Sequence, residues 1–272
     1  MTTAFVLGGG GVLGAAEVGM LRALFERDVT PDLVLGTSVG ALNGAMVARD
    51  PTPAVIERLT DLWQDASTAR AVSDRPFRTM RRAVSTGTHL YSAAYIQTRL
   101  VQEFGATRFE DLPVTFQVCA ASIERAAEHW FVSGPLVDAI MASAAVPGLL
   151  PPAKVGDEHF LDGGIVNSIP LGRAIGLGAR RVFVLQVGRI DRPLKPPQRP
   201  WEVARVSFEI ARRHRFAREL AEVPDDVEVH VLPARGTSVR DDSLLAHRDF
   251  SRVRNRIDAS YQASRDYLAD LT

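Results

Sequence analysis

Gly8-Gly9-Gly10-Gly11-Val12-Leu13-Gly14 and Gly36-Thr37-Ser38-Val39-Gly40 decide how this chain reads. Each follows a short apolar run, Ala4–Leu7 before the first and Leu33–Leu35 before the second. Each also opens a segment with apolar residues at helical spacing. Strand, glycine loop, helix is an arrangement in which backbone N–H groups at a helix start can hold an anion. The second string fits the pattern of a serine on a sharp strand-to-helix turn, where small flanking residues permit close approach. A serine and an anion-binding loop on neighbouring strands predict acyl transfer through a serine nucleophile. The string alone also allows Ser38 to be an ordinary helix N-cap.

Outward from these strings the chain alternates strands and helices. Apolar residues from Val12 to Phe25 predict a helix over about 12–27, and Asp50-Pro51-Thr52-Pro53 separates the helix after Ser38 from another at about 54–65. Val114–Ala121 reads as a strand with His129–Val132 as its partner, and Gly134–Ala145 as a helix. Val155–Leu161 reads as a strand or short hairpin ending in Asp162-Gly163-Gly164, and Arg181–Val187 as a buried strand. Four prolines make 188–200 a loop. A helix over 202–221, a strand over 227–232 and a helix over about 246–270 follow. The alternation predicts one α/β domain over 1–272 with a mainly parallel sheet covered on both faces. Residues 66–110 are polar and arginine-rich and read as a helical cap over the site.

The composition is that of a globular protein, 46% apolar and 24% charged. Lys plus Arg and Asp plus Glu both number 32, so no global charge draws the chain to nucleic acid. One cysteine, Cys119 in an apolar run, excludes an internal disulfide and reads as a buried small hydrophobe. The start, Met1-Thr2-Thr3-Ala4, lacks the basic and apolar regions of a signal peptide, and no run is long enough to span a bilayer; a cytoplasmic location is expected.

A nucleophilic serine needs a base. The histidines are His89, His129, His159, His214, His230 and His247, and none sits in a small-residue turn after a strand. Asp162 does: it ends an apolar strand and two glycines follow it. Burial there would raise its pKa and strengthen it as a base for Ser38. The bland alternative is an Asp-Gly turn. Gly9, Gly11 and Gly14 also permit a dinucleotide reading, but that fold carries an acid at the end of its second strand. Here the second strand ends Leu35-Gly36-Thr37-Ser38, and Asp32 precedes it.

Taken in order, the strings resemble the patatin-like phospholipase family, in particular its short bacterial members. The resemblance covers about 4–188 and rests on Gly9–Gly14, Gly36–Gly40 and Asp162-Gly163-Gly164. It rests too on Ala142-Ser143-Ala144-Ala145-Val146-Pro147 with Pro151-Pro152, and on the Asn167-Ser168-Ile169-Pro170 extension of the acid motif. It implies a three-layer α/β/α fold and a serine acyl hydrolase acting on phospholipid, lysophospholipid or other acyl esters. Ser38 is then the nucleophile and Asp162 the base of a Ser–Asp dyad. Gly9, Gly10 and Gly11 line the oxyanion hole, with Gly36 and Gly40 in the elbow and Gly163 and Gly164 in the acid motif. No metal or cofactor is implied. Two positions depart from the family: Leu13 stands where Arg or Lys is usual, and Glu17 where His is usual.

Two basic stretches bear on lipid access. Residues 70–82 hold Arg70, Arg75, Arg78, Arg81 and Arg82 around Phe77 and Met80, a composition suited to peripheral, reversible contact with a membrane, or to a solvated surface. Arg212, Arg213, Arg215 and Arg218 read as a solvated helix face, with Arg218 spaced to pair with Glu222. Two rivals remain at this level. One is an esterase with a Ser–His–Asp triad. The other is a non-catalytic lipid- or nucleotide-binding regulator on the same scaffold.

Overall fold

The structure is a computed structural model that describes residues 1–73, 92–187, 193–234 and 252–271. Its strands are β1 (Thr3–Leu7), β2 (Leu33–Thr37), β3 (Thr115–Ser122), β4 (Ala127–Phe131), β5 (Ala153–Val155), β6 (Glu158–Asp162), β7 (Arg181–Leu185) and β8 (Glu228–Val231). Its α-helices are α1 (Ala15–Phe25), α2 (Val39–Arg49), α3 (Ala54–Ser73), α4 (Ala94–Phe104), α5 (Leu136–Ser143), α6 (Gly164–Asn167), α7 (Leu171–Gly176), α8 (Pro200–Ala221) and α9 (Val253–Ala269).

The strands form one sheet in the order β5-β6-β3-β2-β1-β7-β8, with β4 also paired to β3. From β3 through β8 the pairing is parallel, whereas β4, β5 and β6 pair antiparallel. Strands buried on both faces need apolar side chains at every position, which is why β1 and β2 read as unbroken apolar runs. The period of two then sorts the residues. Phe5, Leu7, Val34, Phe183 and Leu185 enter the core beneath α1, α2, α3 and α9. Ala4, Val6, Leu33, Leu35, Val182 and Val184 face the other way, against Leu171 and Ala174 of α7 and Phe216 of α8. The result is the three-layer α/β/α arrangement.

The register explains how two distant segments meet. Cys119 pairs with both Thr37 and Trp130, and Ala120 pairs with both Asp162 and His129. A strand has two edges, so β4 occupies one edge of β3. The other edge is shared: β2 runs along it as far as Cys119, and β6 takes over at Ala120. The carboxyl ends of β2 and β6 therefore abut.

Several elements differ from the sequence reading. The helix expected from residue 12 begins with a 3₁₀ turn, Gly11–Gly14, before α1 proper. α3 runs eight residues past the expected end at 65. In the 66–110 segment, α4 is tied through Glu103 to Arg49 and Arg58. Arg49 lies at the end of α2 remote from Ser38. Residues 74–91, which hold most of the basic stretch, lie outside the described residues. On α8 the expected Arg218–Glu222 pair is not among the ion pairs of the described residues. Glu222 is already the helix C-cap, and its amide bonds to the Arg218 carbonyl. The pairs formed are Arg215–Glu219, Arg213–Glu209 and Arg212–Glu209. No helix among the described residues is long and apolar enough to cross a membrane.

Candidate active site

Ser38 follows the last residue of β2 and precedes α2 with φ 56° and ψ −121°. That is backbone a side-chain-bearing residue adopts only under constraint from its surroundings. Its side chain makes no capping bond to α2, so the N-cap reading does not hold. Instead Ser38 Oγ donates to Asp162 Oδ2 at 2.6 Å. Gly36 and Gly40 make the turn possible by close approach. A β-carbon on Gly36 would stand 2.5 Å from the Gly40 carbonyl, and one on Gly40 would stand 2.2 Å from that of Leu7.

Asp162 ends β6 and is buried to 2% exposure. Its second oxygen, Oδ1, accepts the Gly164 N–H at 2.7 Å. Burial pushes the carboxyl up to about 6 from its ordinary 3.8, against the opposing pull of the bonds from Ser38 and Gly164. Gly163 permits the turn to press against the sheet, since a β-carbon there would lie 2.2 Å from the Cys119 carbonyl. Gly164 lies under the Phe208 ring of α8. Cys119 is buried as expected, and its thiol pKa is raised by burial.

The glycine loop runs alongside. The Gly8 and Gly9 amides are committed to the carbonyls of Leu185 and Ser168, both at 3.0 Å, and Leu13 N–H to that of Gly10. Among the described residues the amides of Gly10 and Gly11 donate to no backbone carbonyl. Gly10 must lack a side chain, because a β-carbon would stand 2.0 Å from Val187 Cγ2. Leu13 is core, 5% exposed, and points away from solvent. Loop and elbow both lie at helix starts, where the helix dipole favours negative charge.

The described histidines lie elsewhere. His129 packs on Phe131 and Phe160, His159 bonds Glu124, and His230 stacks on Phe183. His214 lies within α8, while His89 and His247 fall outside the described residues. Asp32 accepts the Thr3 N–H at the amino end of the sheet, far from the glycine loop, which leaves a nucleotide ribose without its acid. Among the described residues no group of three or more His, Cys, Asp or Glu is placed to hold a metal ion.

Two contacts at the site went unread in the sequence. The Ser38 N–H donates to Ser143 Oγ at 2.8 Å, and Ser143 Oγ–H donates to the Cys119 carbonyl at 2.6 Å. Its signals were a lone hydroxyl among the small and apolar residues at the end of α5 and its place in the Ala142–Pro147 string, which give no contact to Ser38. The second is a fully buried polar group under the loop: Asn43 Nδ2 donates to Gly14 O at 3.0 Å and to Glu17 Oε2 at 2.7 Å, and Asn43 Oδ1 accepts from Trp63 Nε1 at 3.1 Å. An acid within the apolar face of α1 marked it.

A model of the patatin-like phospholipases matches residues 5–175. The chain belongs to the patatin-like phospholipase family. Among the members of this family, a patatin-like phospholipase domain-containing protein of Caenorhabditis elegans is 34% identical over 188 residues, 68% of this chain and 14% of that protein. Lysophospholipase nte1 of Aspergillus terreus is 31% identical over 194 residues, 68% of this chain and 12% of that protein. The chain thus spans a small part of the curated relatives it matches. The crystal structure of VipD from Legionella pneumophila aligns over 99% of this chain and 67% of that one, with 13% identity and a TM-score of 0.45.

Proposed function

We propose that this patatin-like protein is a serine lipid acyl hydrolase. Ser38 is its nucleophile, Asp162 its general base, and the Gly10 and Gly11 amides its oxyanion donors. The 2.6 Å bond from Ser38 Oγ to a buried carboxylate carries the reading. Asp162 Oδ2 takes the Ser38 proton as Oγ attacks the ester carbonyl. The negative oxygen of the tetrahedral intermediate turns to the amides of Gly10 and Gly11. Asp162 returns the proton to the leaving alcohol, and the acyl group stays on Ser38. Water then attacks the acyl-enzyme and gives its proton to Asp162. The fatty acid leaves and the proton passes back to Ser38 Oγ. Gly9 serves the loop through its bond to Ser168, not through its amide at the oxyanion. The chemistry needs no metal or cofactor. Phospholipids, lysophospholipids and simple acyl esters are the substrate class, supported by the family and by the lysophospholipase among its relatives.

The test is intact-protein mass after incubation with a fluorophosphonate, for wild type, Ser38→Ala and Asp162→Asn, alongside fatty acid release from a phospholipid and lysophospholipid panel. One adduct on wild type, none on Ser38→Ala and slow labelling of Asp162→Asn is the expected pattern. A folded wild type that takes no adduct and releases no fatty acid is instead a binding protein on this scaffold.

A further inference from the structure

We infer that Ser143 is a positioning residue that sets the distance and angle between Ser38 and Asp162. The inference rests on the reading of those two as nucleophile and base. Ser143 is completely buried and contacts each part of the site by a different atom. Its Oγ accepts the Ser38 N–H at 2.8 Å and donates its one proton to the Cys119 carbonyl at 2.6 Å. Its own carbonyl accepts the Gly163 N–H at 3.2 Å, and two residues on, the Ala145 carbonyl accepts the Asp162 N–H at 2.9 Å. These bonds close a ring with the one between Ser38 Oγ and Asp162 Oδ2.

The ring has a task. Ser38 holds φ 56°, a conformation that persists only where the surroundings over-determine it. On its carbonyl side Ser38 is fixed by the first turn of α2, through Ala41 N–H at 3.0 Å. On its amide side the Ser143 hydroxyl is the partner. The Cys119 carbonyl that orients that hydroxyl is the same group against which Gly163 is pressed. Nucleophile, sheet and acid turn are therefore referenced to one residue at the end of α5. The Ser38 amide, being bonded inward to Ser143, is also unavailable to the oxyanion. It is therefore not among the oxyanion donors, which fits the assignment of that role to Gly10 and Gly11.

The test compares Ser143→Ala with wild type and with Ser260→Ala. The latter removes a comparably buried hydroxyl, bonded to the Ala16 carbonyl at 2.6 Å in the α1–α9 interface. Ser143→Ala is expected to lower kcat and the fluorophosphonate labelling rate about 10- to 100-fold with KM within about twofold, the penalty of a small misplacement of reacting groups. Ser260→Ala, at a similar loss of melting temperature, is expected to label at the wild-type rate. If Ser143→Ala does not fold, Ser143→Cys decides, because a thiol is a weak, long hydrogen-bonding partner: slowed labelling of the folded variant supports the role. A folded Ser143→Ala or Ser143→Cys that labels at the wild-type rate overturns it while Ser38 remains the nucleophile. No label on wild type overturns both readings together.

Discussion

Ser38 Oγ and Asp162 Oδ2 lie 2.6 Å apart although 124 residues separate them in the chain. The approach follows from β3, whose one edge is shared end to end by β2 and β6. Thr37 is opposite Cys119 and Asp162 is opposite the next residue, Ala120. The turn after Thr37 carries Ser38 into the gap between the two strand ends. No long side chain is needed to span it, which suits the proton transfer proposed for the pair.

Burial makes Asp162 both a better base and a structural cost, and the two separate by pH. As the proposed general base, the carboxyl must be ionised to take the Ser38 proton, so kcat/KM is expected to rise with pH through an acidic limb whose midpoint is about 6. A limb centred near the ordinary 3.8 would show that burial does not shift the carboxyl.

The same shift predicts opposite signs for activity and stability in Asp162→Asn. A folded pKa raised above 3.8 means that stability is fully present below that pH and is lost as pH rises through about 6. The amide removes the buried charge, keeps its oxygen for the Gly164 N–H and turns its nitrogen to donate to Ser38 Oγ, reversing that bond. At pH 7 the variant is expected to gain on the order of 2–3 kcal/mol and to lose most activity. Urea unfolding at pH 7 checks it; equal or lower stability than wild type contradicts the burial argument.

Ser38 stores backbone strain, which a pair of inactive variants can measure. Ser38→Ala and Ser38→Gly both remove the hydroxyl, but only glycine relaxes at φ 56°. Ser38→Gly is expected to be the more stable by about 1 kcal/mol, within the range of such strained residues. Identical urea midpoints for the two would mean the turn is unstrained.

Much of this was legible in the sequence, for identifiable reasons. Both strands with buried faces were written as apolar runs, and the loop, serine and acid strings each stood at a strand end. The shared edge of β3 was not legible, because it depends on register between segments far apart in sequence. Gly9 illustrates the same limit. Composition makes it equal to Gly10 and Gly11, yet only the fold aims its amide at Ser168 and, among the described residues, leaves theirs without a backbone partner. Arg218 and Glu222 had the right spacing for a pair, but the helix ends at Ala221, between the two, a boundary that spacing does not show.

Gly10 is kept from carrying a side chain by lack of space, its φ of 174° lying outside the left-handed region. Val187 cannot withdraw easily: it is 1% exposed, and Arg212 Nη1 holds its carbonyl at 3.3 Å. Gly10→Ala is therefore expected to push the loop aside and lower kcat about 10²- to 10³-fold, the scale of a lost oxyanion donor. In Gly10→Ala/Val187→Ala the offending Cγ2 is gone and the nearest remaining atom, Val187 Cβ, is 3.4 Å away. The double variant should recover a good part of the rate. A double variant no faster than Gly10→Ala would refute the steric account.

Glu17 is a second fully buried acid among the described residues, and it lies one helical turn below the loop. Its exposure is zero, and burial raises its pKa well above the ordinary 4.5, with the Asn43 bond opposing. Oε1 has no hydrogen-bond partner among the described residues. Asn43 uses both amide protons, one on Glu17 and one on the Gly14 carbonyl, and so couples the acid to the end of the 3₁₀ turn. With a raised folded pKa, the stability tied to Glu17 is complete below pH 4.5 and declines as pH climbs towards the folded value. Glu17→Gln keeps an oxygen for Asn43 and cannot ionise. The stability of this variant relative to wild type is therefore expected to grow as pH rises above 4.5, while its activity stays within about threefold because the loop anchor survives, a difference under about 1 kcal/mol. Melting temperatures of both proteins from pH 4 to 8 measure this, and parallel curves would show that Glu17 gives up its proton inside the folded core at little cost.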